Sequence, residues 1–199
     1  MTRPRPAIPA LLLGLLVALA GCQGGGRPAE AGPDVTVSPL ADCQGLTEPP
    51  AEAAPAVAGS GEPLPDLTLP CFTGGEPFRL ADLRGPAVVN LWASWCAPCR
   101  EELPALQRYA DQMASRVQVL GVVTEDRPAA AAALATDLGV RFPALEDQPG
   151  RLQAEIGGMG LPVTLLVDAA GQLRYVHVTG ALKQPELASL VAEHLGVPE

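Results

Sequence analysis

The sequence predicts an α/β domain with a mixed central sheet and helices on both faces of that sheet. From about residue 63, short apolar runs alternate with longer stretches of helical periodicity, a pattern typical of β-α-β units. Two strand patterns around a glycine and an amphipathic helix follow, so an antiparallel hairpin is expected to complete the sheet. With 199 residues, 48% of them hydrophobic, the chain is long enough for one domain and an extension.

Each element is predicted from its composition and from the residues that end it. Gly74 and Gly75 separate the first two strands as a hairpin turn, and Gly139 and Gly196 end two helices. Pro104 falls inside a helical pattern and is expected to kink that helix. In chain order, the predicted elements are strands at 67–69 and 78–80, a buried strand at 87–93, a helix at 98–113, a buried strand at 117–123, helices at 128–138 and 150–156, strands at 162–167 and 173–178, and a helix at 185–195.

The charge balance argues against one class of partner. The formal net charge is −9 and the isoelectric point is about 4.7. Phosphate binding needs a basic surface, so a nucleic acid is not expected as a partner.

The N-terminus predicts export from the cytoplasm. Arg3 and Arg5 precede an apolar run at 7–20, which has the length of a signal-peptide core but is short for a membrane-spanning helix. The run ends in Leu-Ala-Gly-Cys at Cys22, which resembles the lipobox of bacterial lipoproteins. The resemblance implies a lipoprotein signal peptide at 1–21, cleavage before Cys22 and a diacylglycerol on its sulfur. An ordinary signal peptide with a chance cysteine is the alternative.

The next segment, residues 22–62, is predicted to be a flexible linker that carries the lipidated Cys22. It is rich in Gly, Pro and Ala and has no sustained period of 2 or 3.6 residues. Cys43 does not fit this composition, because an unpaired cysteine in a linker is a liability; a partner for it is expected, and with it local order.

The residues with the strongest chemical signal are Cys96 and Cys99, in the segment Trp-Cys-Ala-Pro-Cys. A predicted strand ends just before them and a helix begins, which places Cys96 at a helix N-terminus, where free N–H groups stabilise a thiolate. Cys96 is therefore expected to be exposed and to attack a foreign disulfide, and Cys99 to resolve the mixed disulfide. Half of a zinc site is the alternative, but no second CxxC or CxxH pair accompanies this one.

The segment from Trp92 to Pro104 resembles the active-site segment of thioredoxin-like proteins, most of all the TlpA and ResA kind. The resemblance covers residues 63–197. It implies a thioredoxin-like domain at 63–199 with an N-terminal β-hairpin extension. It also implies a tethered extracytoplasmic thiol-disulfide oxidoreductase, lipid-anchored to the cell membrane, whose redox-active disulfide needs no organic cofactor or metal. Protein disulfides would be its substrates, and a membrane thiol-disulfide carrier would supply its electrons.

Two further parts of the site are implied by this resemblance. The segment from Gly160 to Thr164 matches the position of the cis-proline of the fold, so Pro162 is expected to be cis and to offer the backbone of Leu161 to an incoming peptide. Trp95 and Pro98 are expected to line the same substrate groove. A trans proline that opens a strand is the alternative.

The acid of the site is less well defined by the sequence. Asn90 stands where thioredoxin has a buried aspartate, so an acid must come from elsewhere. In ResA-like proteins a glutamate at the end of the next strand lies under the cysteines, which makes Glu125 the candidate acid/base, with a partly desolvated carboxyl and a raised pKa. A solvated Glu125 is the alternative. The pair Glu101 and Glu102 is interpreted as a favourable charge in the first turn of a helix.

Five cysteines leave Cys43 and Cys71 once Cys22 and the CxxC pair are assigned. A structural disulfide between them would join the end of the linker to the first hairpin and stabilise the fold by roughly 3 kcal/mol. Free thiols, or redox partners of Cys96 and Cys99, are the alternatives.

The function that the sequence favours is the reduction of protein disulfides, with a role in cytochrome c maturation among those seen in such proteins. A disulfide-donating oxidase on the same fold is one alternative. A thiol peroxidase is disfavoured, because the Pro-x-x-x-Thr/Ser-x-x-Cys setting of its reactive cysteine is missing. A lipoprotein that binds or relays a metal through the CxxC is the non-enzymatic alternative.

Overall fold

A computed structural model describes residues 38–59, 61–158 and 160–198 of the chain. The predicted signal peptide and Cys22 lie outside these residues. The elements are β1 (Glu62–Pro63), β2 (Thr68–Leu69), β3 (Phe78–Arg79), a 3₁₀ turn (Leu80–Asp82), β4 (Ala87–Trp92), α1 (Ala97–Met113), β5 (Gln118–Thr124), α2 (Pro128–Leu138), β6 (Ala144–Asp147), α3 (Arg151–Glu155), β7 (Val163–Val167), β8 (Gln172–His177) and α4 (Gln184–Leu195). None of the helices in this part of the chain is long and apolar enough to cross a membrane.

The main sheet has six strands in the order β1-β8-β7-β4-β5-β6. Strands β4, β5 and β6 are parallel, whereas β7 runs antiparallel to β4 and to β8. The sheet is therefore mixed, as predicted, and the hairpin β2–β3 forms a separate small sheet. The carboxyl ends of β4 and β5 and the amino end of β7 meet at one edge, which is where the CxxC segment lies.

Two apolar cores form on the two faces of this sheet. Residues of β4 alternate between them, so that Val88 and Trp92 face one core while Val89 and Leu91 face the other. The first core is closed by the apolar sides of α1, α2 and α4, and the second by the hairpin β2–β3, the 3₁₀ turn and α3. The predicted α/β class with helices on both faces is confirmed: the three long helices α1, α2 and α4 lie on one face, and the short α3 lies on the other. Helix α1 is continuous across Pro104.

Two strands of the sheet were not predicted. Strand β6 has only two apolar residues, Ala144 and Leu145, followed by two acidic ones, so it shows no alternation over the length that a strand pattern needs. Strand β1 is two residues long and includes Pro63, which is tolerated at a sheet edge because an edge strand leaves donor positions unpaired.

The predicted flexible linker at 22–62 is wrong for its described part, because residues 38–59 pack on the domain. Leu40 and Leu46 are buried, and the Ala41 N–H donates to the carbonyl of Arg141 at 2.8 Å. The guanidinium of Arg174 donates to two carbonyls of the segment, at Val57 and Gly59. We call residues 38–59 the strap. The leucines of the strap are spaced too irregularly to give a helical or strand period. The sequence pattern therefore did not predict that Leu40 and Leu46 are buried against the domain.

A disulfide joins the strap to the domain. Cys43 is bonded to Cys71, with 6.0 Å between the Cα atoms and a sequence separation of 28 residues. Cys71 is buried and forms an isolated bridge with Leu145 of β6. The pairing expected from the cysteine count is present, and the order expected near Cys43 accompanies it.

Candidate active site

The redox-active pair lies where β4 gives way to α1. Cys96 is the N-cap residue of α1, and its sulfur is bonded to that of Cys99, with 5.3 Å between the Cα atoms. The backbone N–H of Cys99 donates to Sγ of Cys96 at 3.2 Å. This N–H is one of the unpaired donors of the first helical turn, so it is placed to stabilise a thiolate on Cys96 once the disulfide is reduced.

Cys96 is less accessible than the sequence predicted. Its exposed fraction is 4%, and that of Cys99 is zero. The expected exposed sulfur is therefore wrong for the disulfide form, because the bond to Cys99 and the helical N–H hold Sγ of Cys96 against the helix.

The groove residues predicted from the sequence lie on elements that meet at the same end of the sheet as this pair. Leu161 is half-buried, and the Leu161–Pro162 peptide bond is cis, at the amino end of β7. Trp95 is 60% exposed and Pro98 is half-buried in the first turn of α1. In the described part of the chain, Trp95 and Val178 are the exposed large hydrophobic side chains. Val178 follows β8, which runs parallel to β4, so both lie at the edge that carries the cysteines.

The turn before Cys96 is held by the loop that follows β5. The carboxylate of Asp126, only 5% exposed, accepts the backbone N–H of Ser94 at 2.5 Å and its hydroxyl at 2.9 Å. The indole N–H of Trp95 donates to the carbonyl of Glu125 at 3.0 Å. These bonds fix the position from which the chain enters α1 and therefore the position of Cys96.

Glu125 is placed differently from its prediction. Its backbone adopts a left-handed conformation, with φ of 50°, and its side chain is exposed and lies over Gly150. The partly desolvated carboxyl expected at this position is therefore not found. The left-handed turn aims the carbonyl of Glu125 at Trp95 and leaves the side chain in solvent, and the acid/base role of Glu125 stays a prediction from the sequence.

The desolvated carboxyl of the site is that of Glu102, for which the sequence predicted a favourable charge in the first turn of a helix. Helix α1 begins at Ala97, so Glu102 lies beyond that turn. Glu102 is 1% exposed and lies three residues after Cys99, on the same side of α1. Its Oε2 accepts Nδ2 of Asn90 at 3.1 Å, and its Oε1 accepts the hydroxyl of Thr164 at 3.3 Å and the N–H of Leu182 at 3.4 Å. Burial raises the pKa of Glu102 from 4.5 to about 7, and the three donors oppose that rise.

The signal that could have identified Glu102 is its helical spacing. A residue at i+3 from Cys99 must share its buried face, whereas Glu101 points to solvent and is exposed. Acidic residues in a first turn are common enough that the interpretation as a helix-dipole charge came first.

The site contains no evident metal centre. In residues 38–59, 61–158 and 160–198, no group of three or more His, Cys, Asp or Glu side chains is placed to hold a metal ion.

Comparison with known proteins places this geometry in a family. Residues 60–176, more than half of the chain, match the AhpC/TSA family. The chain belongs to the AhpC/TSA family. Its thioredoxin-like fold and its resemblance to the ResA kind of protein are thereby confirmed.

Relatives within the AhpC/TSA family have thiol-disulfide names. The thiol:disulfide interchange protein DsbE of Pseudomonas fluorescens biotype C is 36% identical over 120 residues, which cover 59% of this chain and 66% of that protein, just under two thirds. The thiol-disulfide oxidoreductase ResA of Geobacillus thermodenitrificans is 30% identical over 129 residues, covering 64% of this chain and 73% of ResA.

A solved structure shares the fold. It is a secreted disulfide oxidoreductase of Mycobacterium tuberculosis, homologous to DsbE of Escherichia coli, with a TM-score of 0.58 and 27% identity. The match covers 64% of this chain and 96% of that one. This member of the AhpC/TSA family is therefore a thiol-disulfide oxidoreductase with a thioredoxin fold.

Proposed function

We propose that the protein reduces disulfides in protein substrates outside the cytoplasm, using Cys96 and Cys99 as its redox centre. The observation that carries the proposal is the combination of a disulfide at a helix N-terminus with a buried carboxyl, that of Glu102, one helical turn further along. Such a carboxyl, with its pKa near neutrality, can both accept and return a proton at physiological pH.

The reaction begins with the reduced protein. The thiolate of Cys96 attacks one sulfur of the substrate disulfide, which forms a mixed disulfide and releases the other substrate sulfur as a thiolate. Cys99 then passes its proton to the carboxylate of Glu102, and the resulting thiolate attacks Sγ of Cys96. The bond between Cys96 and the substrate breaks, the second substrate thiolate leaves, and the Cys96–Cys99 disulfide forms. Two electrons have moved from the protein to the substrate.

Substrate docking is assigned to the groove between Trp95 and the Leu161–Pro162 segment. The exposed indole offers an apolar surface, and its N–H is already bonded to the carbonyl of Glu125, so the ring is fixed before a substrate arrives. The backbone of Leu161 can pair with an extended peptide as an added strand. The fixed indole of Trp95 and the backbone of Leu161 together suit an extended segment of a protein better than a small thiol.

The electrons must return to Cys96 and Cys99 from a second dithiol. A membrane thiol-disulfide carrier is the proposed donor, and neither a metal nor an organic cofactor takes part. The proposed location is the outer face of the cell membrane, with the lipid on Cys22 as the anchor. A secreted structural neighbour and relatives named DsbE and ResA support an extracytoplasmic site of action. The reduction of apocytochrome c is the proposed physiological role.

Disulfide donation is the second candidate, because the same chemistry runs in either direction. The N–H of Cys99 on Sγ of Cys96 stabilises the reduced, thiolate form, and a strong enough stabilisation makes a dithiol an oxidant. The CxxC carries no charged residue between its cysteines, so the local sequence does not decide the direction.

The deciding experiment is a redox titration of the purified protein against glutathione or dithiothreitol, followed by an assay of insulin disulfide reduction. A potential at or below about −250 mV is expected and identifies a reductant. A potential of about −150 mV or above identifies an oxidant and overturns the proposal. Peroxide consumption that depends on Cys96 would instead revive the peroxidase alternative.

A further inference from the structure

One buried acceptor beside the redox centre has no hydrogen-bond donor. Asn90 is fully buried. Within the part of the chain that the structure describes, its Oδ1 has no hydrogen-bond partner. Its Nδ2, in contrast, makes two bonds, to Oε2 of Glu102 at 3.1 Å and to the hydroxyl oxygen of Thr164 at 2.9 Å. Unpaired buried acceptors are rare and call for a physical reason.

The present arrangement matches one charge state of Glu102. An ionised carboxylate only accepts hydrogen bonds, and here it receives three, from Asn90, Thr164 and Leu182. Every polar hydrogen of the Asn90 amide and of the Thr164 hydroxyl is used. These donors are all directed at the carboxylate of Glu102 or at the Thr164 oxygen that donates to it. None is left to donate to Oδ1 of Asn90, which is therefore unpaired.

The protonated state of Glu102 needs the opposite arrangement. A carboxylic acid has one O–H to donate, and Oε2 faces only N–H donors of Asn90. The Thr164 oxygen could accept that proton only if its own hydroxyl hydrogen lost its partner on Glu102. A half-turn of the Asn90 amide gives the carboxylic acid an acceptor, although it turns both amide hydrogens to the place where Oδ1 now has no partner. It would bring Oδ1 to the place of Nδ2, within hydrogen-bond distance of both Glu102 and Thr164, and Oδ1 has two lone pairs with which to accept from both.

We infer that Asn90 is a positioning residue whose side-chain amide reverses with the protonation state of Glu102, so that the buried carboxyl is paired in both states. The catalytic use of this reversal rests on the proposed function, in which Glu102 accepts and returns the proton of Cys99. Protonation of Glu102 would then reverse the two hydrogen bonds of the Asn90 amide and break the one from Thr164 to Glu102, and deprotonation would restore all three.

The residue type fits this task. Asparagine is a short side chain that carries a donor and an acceptor on one rotatable amide. Aspartate at this position would place a second carboxyl beside Glu102, and the two would share a proton. The other ionisable groups around Glu102 are Cys99 on α1, Glu186 on α4, whose negative charge raises the pKa of Glu102, and His177, paired with Thr164 across β7 and β8.

The experiment is a pH titration of the oxidised full chain, followed by NMR of the Asn90 side-chain amide and of the Glu102 carboxyl carbon. In the disulfide form Cys99 does not titrate, and the Glu102 carboxyl carbon reports the transition of Glu102 itself. We expect both Asn90 amide protons to be hydrogen-bonded and protected from solvent exchange above the Glu102 midpoint, and to lose both bonds below it. Amide signals that keep the same bonding across the midpoint would overturn the inference.

The Glu102→Gln variant is the control for the titration. Without the carboxyl, the Asn90 amide should show no transition at that midpoint; a transition that persists would place its cause elsewhere and contradict the inference. The protein needs no enzymatic activity for this measurement. Failure to reduce insulin disulfides would therefore count against the proposed function alone.

A pair of variants supplies a second readout, the pH midpoint of Glu102. Thr164→Val removes a donor to the carboxylate and should raise the midpoint by about one pH unit, the value of a hydrogen bond to a charged group. Asn90→Leu removes a partner from both charge states, so its midpoint should move by less than that of Thr164→Val. An Asn90→Leu shift as large as or larger than the Thr164→Val shift would mean that Asn90 serves the ionised state only, and the inference would be wrong.

Discussion

The described part of the chain contains two disulfides in opposite surroundings. Cys96–Cys99 closes a ring of four residues at a helix N-terminus, with a backbone N–H directed at one sulfur and a buried acid on the next helical turn. Cys43–Cys71 joins segments 28 residues apart, and no acidic side chain or helix N-terminus stabilises either thiolate in the described contacts. The Cys96–Cys99 disulfide is thus a reactant, whereas the Cys43–Cys71 disulfide is a structural crosslink. The hydrogen-bond donors and acids around each bond make the difference.

The largest expected effect comes from breaking the reactive disulfide. Cys96→Ser should reduce insulin disulfide reduction to background, because in the described part of the chain Cys99 is fully buried and Cys43 and Cys71 are bonded to each other. Cys99→Ser should still attack and should accumulate the mixed disulfide, which mass spectrometry detects as a covalent adduct with a model substrate. An adduct on Cys43 or Cys71 in either variant would contradict the division of roles.

The next effect concerns Glu102, the buried acid that lies beside the Cys96–Cys99 disulfide. Glu102→Gln should slow resolution of the mixed disulfide by about 10²-fold at neutral pH, the usual contribution of a positioned general base. In the unaltered protein, the resolution rate should rise with pH as Glu102 ionises, with a midpoint near 7. Stopped-flow kinetics across the pH range measures both. Glu125→Gln tests the acid/base role predicted from the sequence: since the Glu125 side chain is exposed, we expect a smaller loss of rate than for Glu102→Gln, and an equal loss would restore that role to Glu125.

The same carboxyl makes stability depend on pH. The pKa of Glu102 is higher in the folded protein than its ordinary value of 4.5, so the folded state binds this proton more tightly than the unfolded state. The stability from this group is fully present below about pH 4.5 and is lost as the pH rises through about 7, a change of about 3 kcal/mol. Urea unfolding of the oxidised protein against Glu102→Gln isolates it: the difference between the two should grow across this window.

Removing the Cys43–Cys71 disulfide should lower the stability of the protein and leave its activity nearly unchanged. The Cys43→Ala, Cys71→Ala double variant should lower the free energy of unfolding by about 3–4 kcal/mol, the loop-entropy value for a ring of this size. Its kcat/KM for insulin disulfides should stay within about twofold at temperatures well below the unfolding midpoint. A loss of activity as large as that of Cys99→Ser would mean that the second disulfide takes part in the redox cycle.

The smallest expected effect comes from the hydrogen bond between Ser94 and Asp126, in the turn just before Cys96. Ser94→Ala removes one hydroxyl bond to Asp126 and should cost about 1 kcal/mol of stability. Because the backbone bond from Ser94 remains, the redox potential should change little. The potential is measured by the same glutathione titration, and a large shift would show that the hydroxyl itself tunes Cys96.

The fold and the redox pair were predictable because their signals are local. A buried run such as 87–93, a glycine after a helix and a CxxC at a strand-to-helix junction each depend on neighbouring residues. Strand β6 and the parts of the strap away from Cys43 were missed because their order comes from distant partners, such as the carbonyl of Arg141 for Ala41. Glu102 was misinterpreted for the same reason: its buried environment is made by Asn90, Thr164 and Leu182, which lie 12 to 80 residues away in sequence.

The strap also contacts the domain far from the reactive cysteines. Ala41 is bonded to Arg141, which precedes β6, and β6 runs parallel to β4. The chain therefore enters the domain near the amino ends of these strands, whereas Cys96 follows the carboxyl end of β4. The strap contact at Ala41 and the reactive sulfur therefore lie towards opposite ends of the parallel strands.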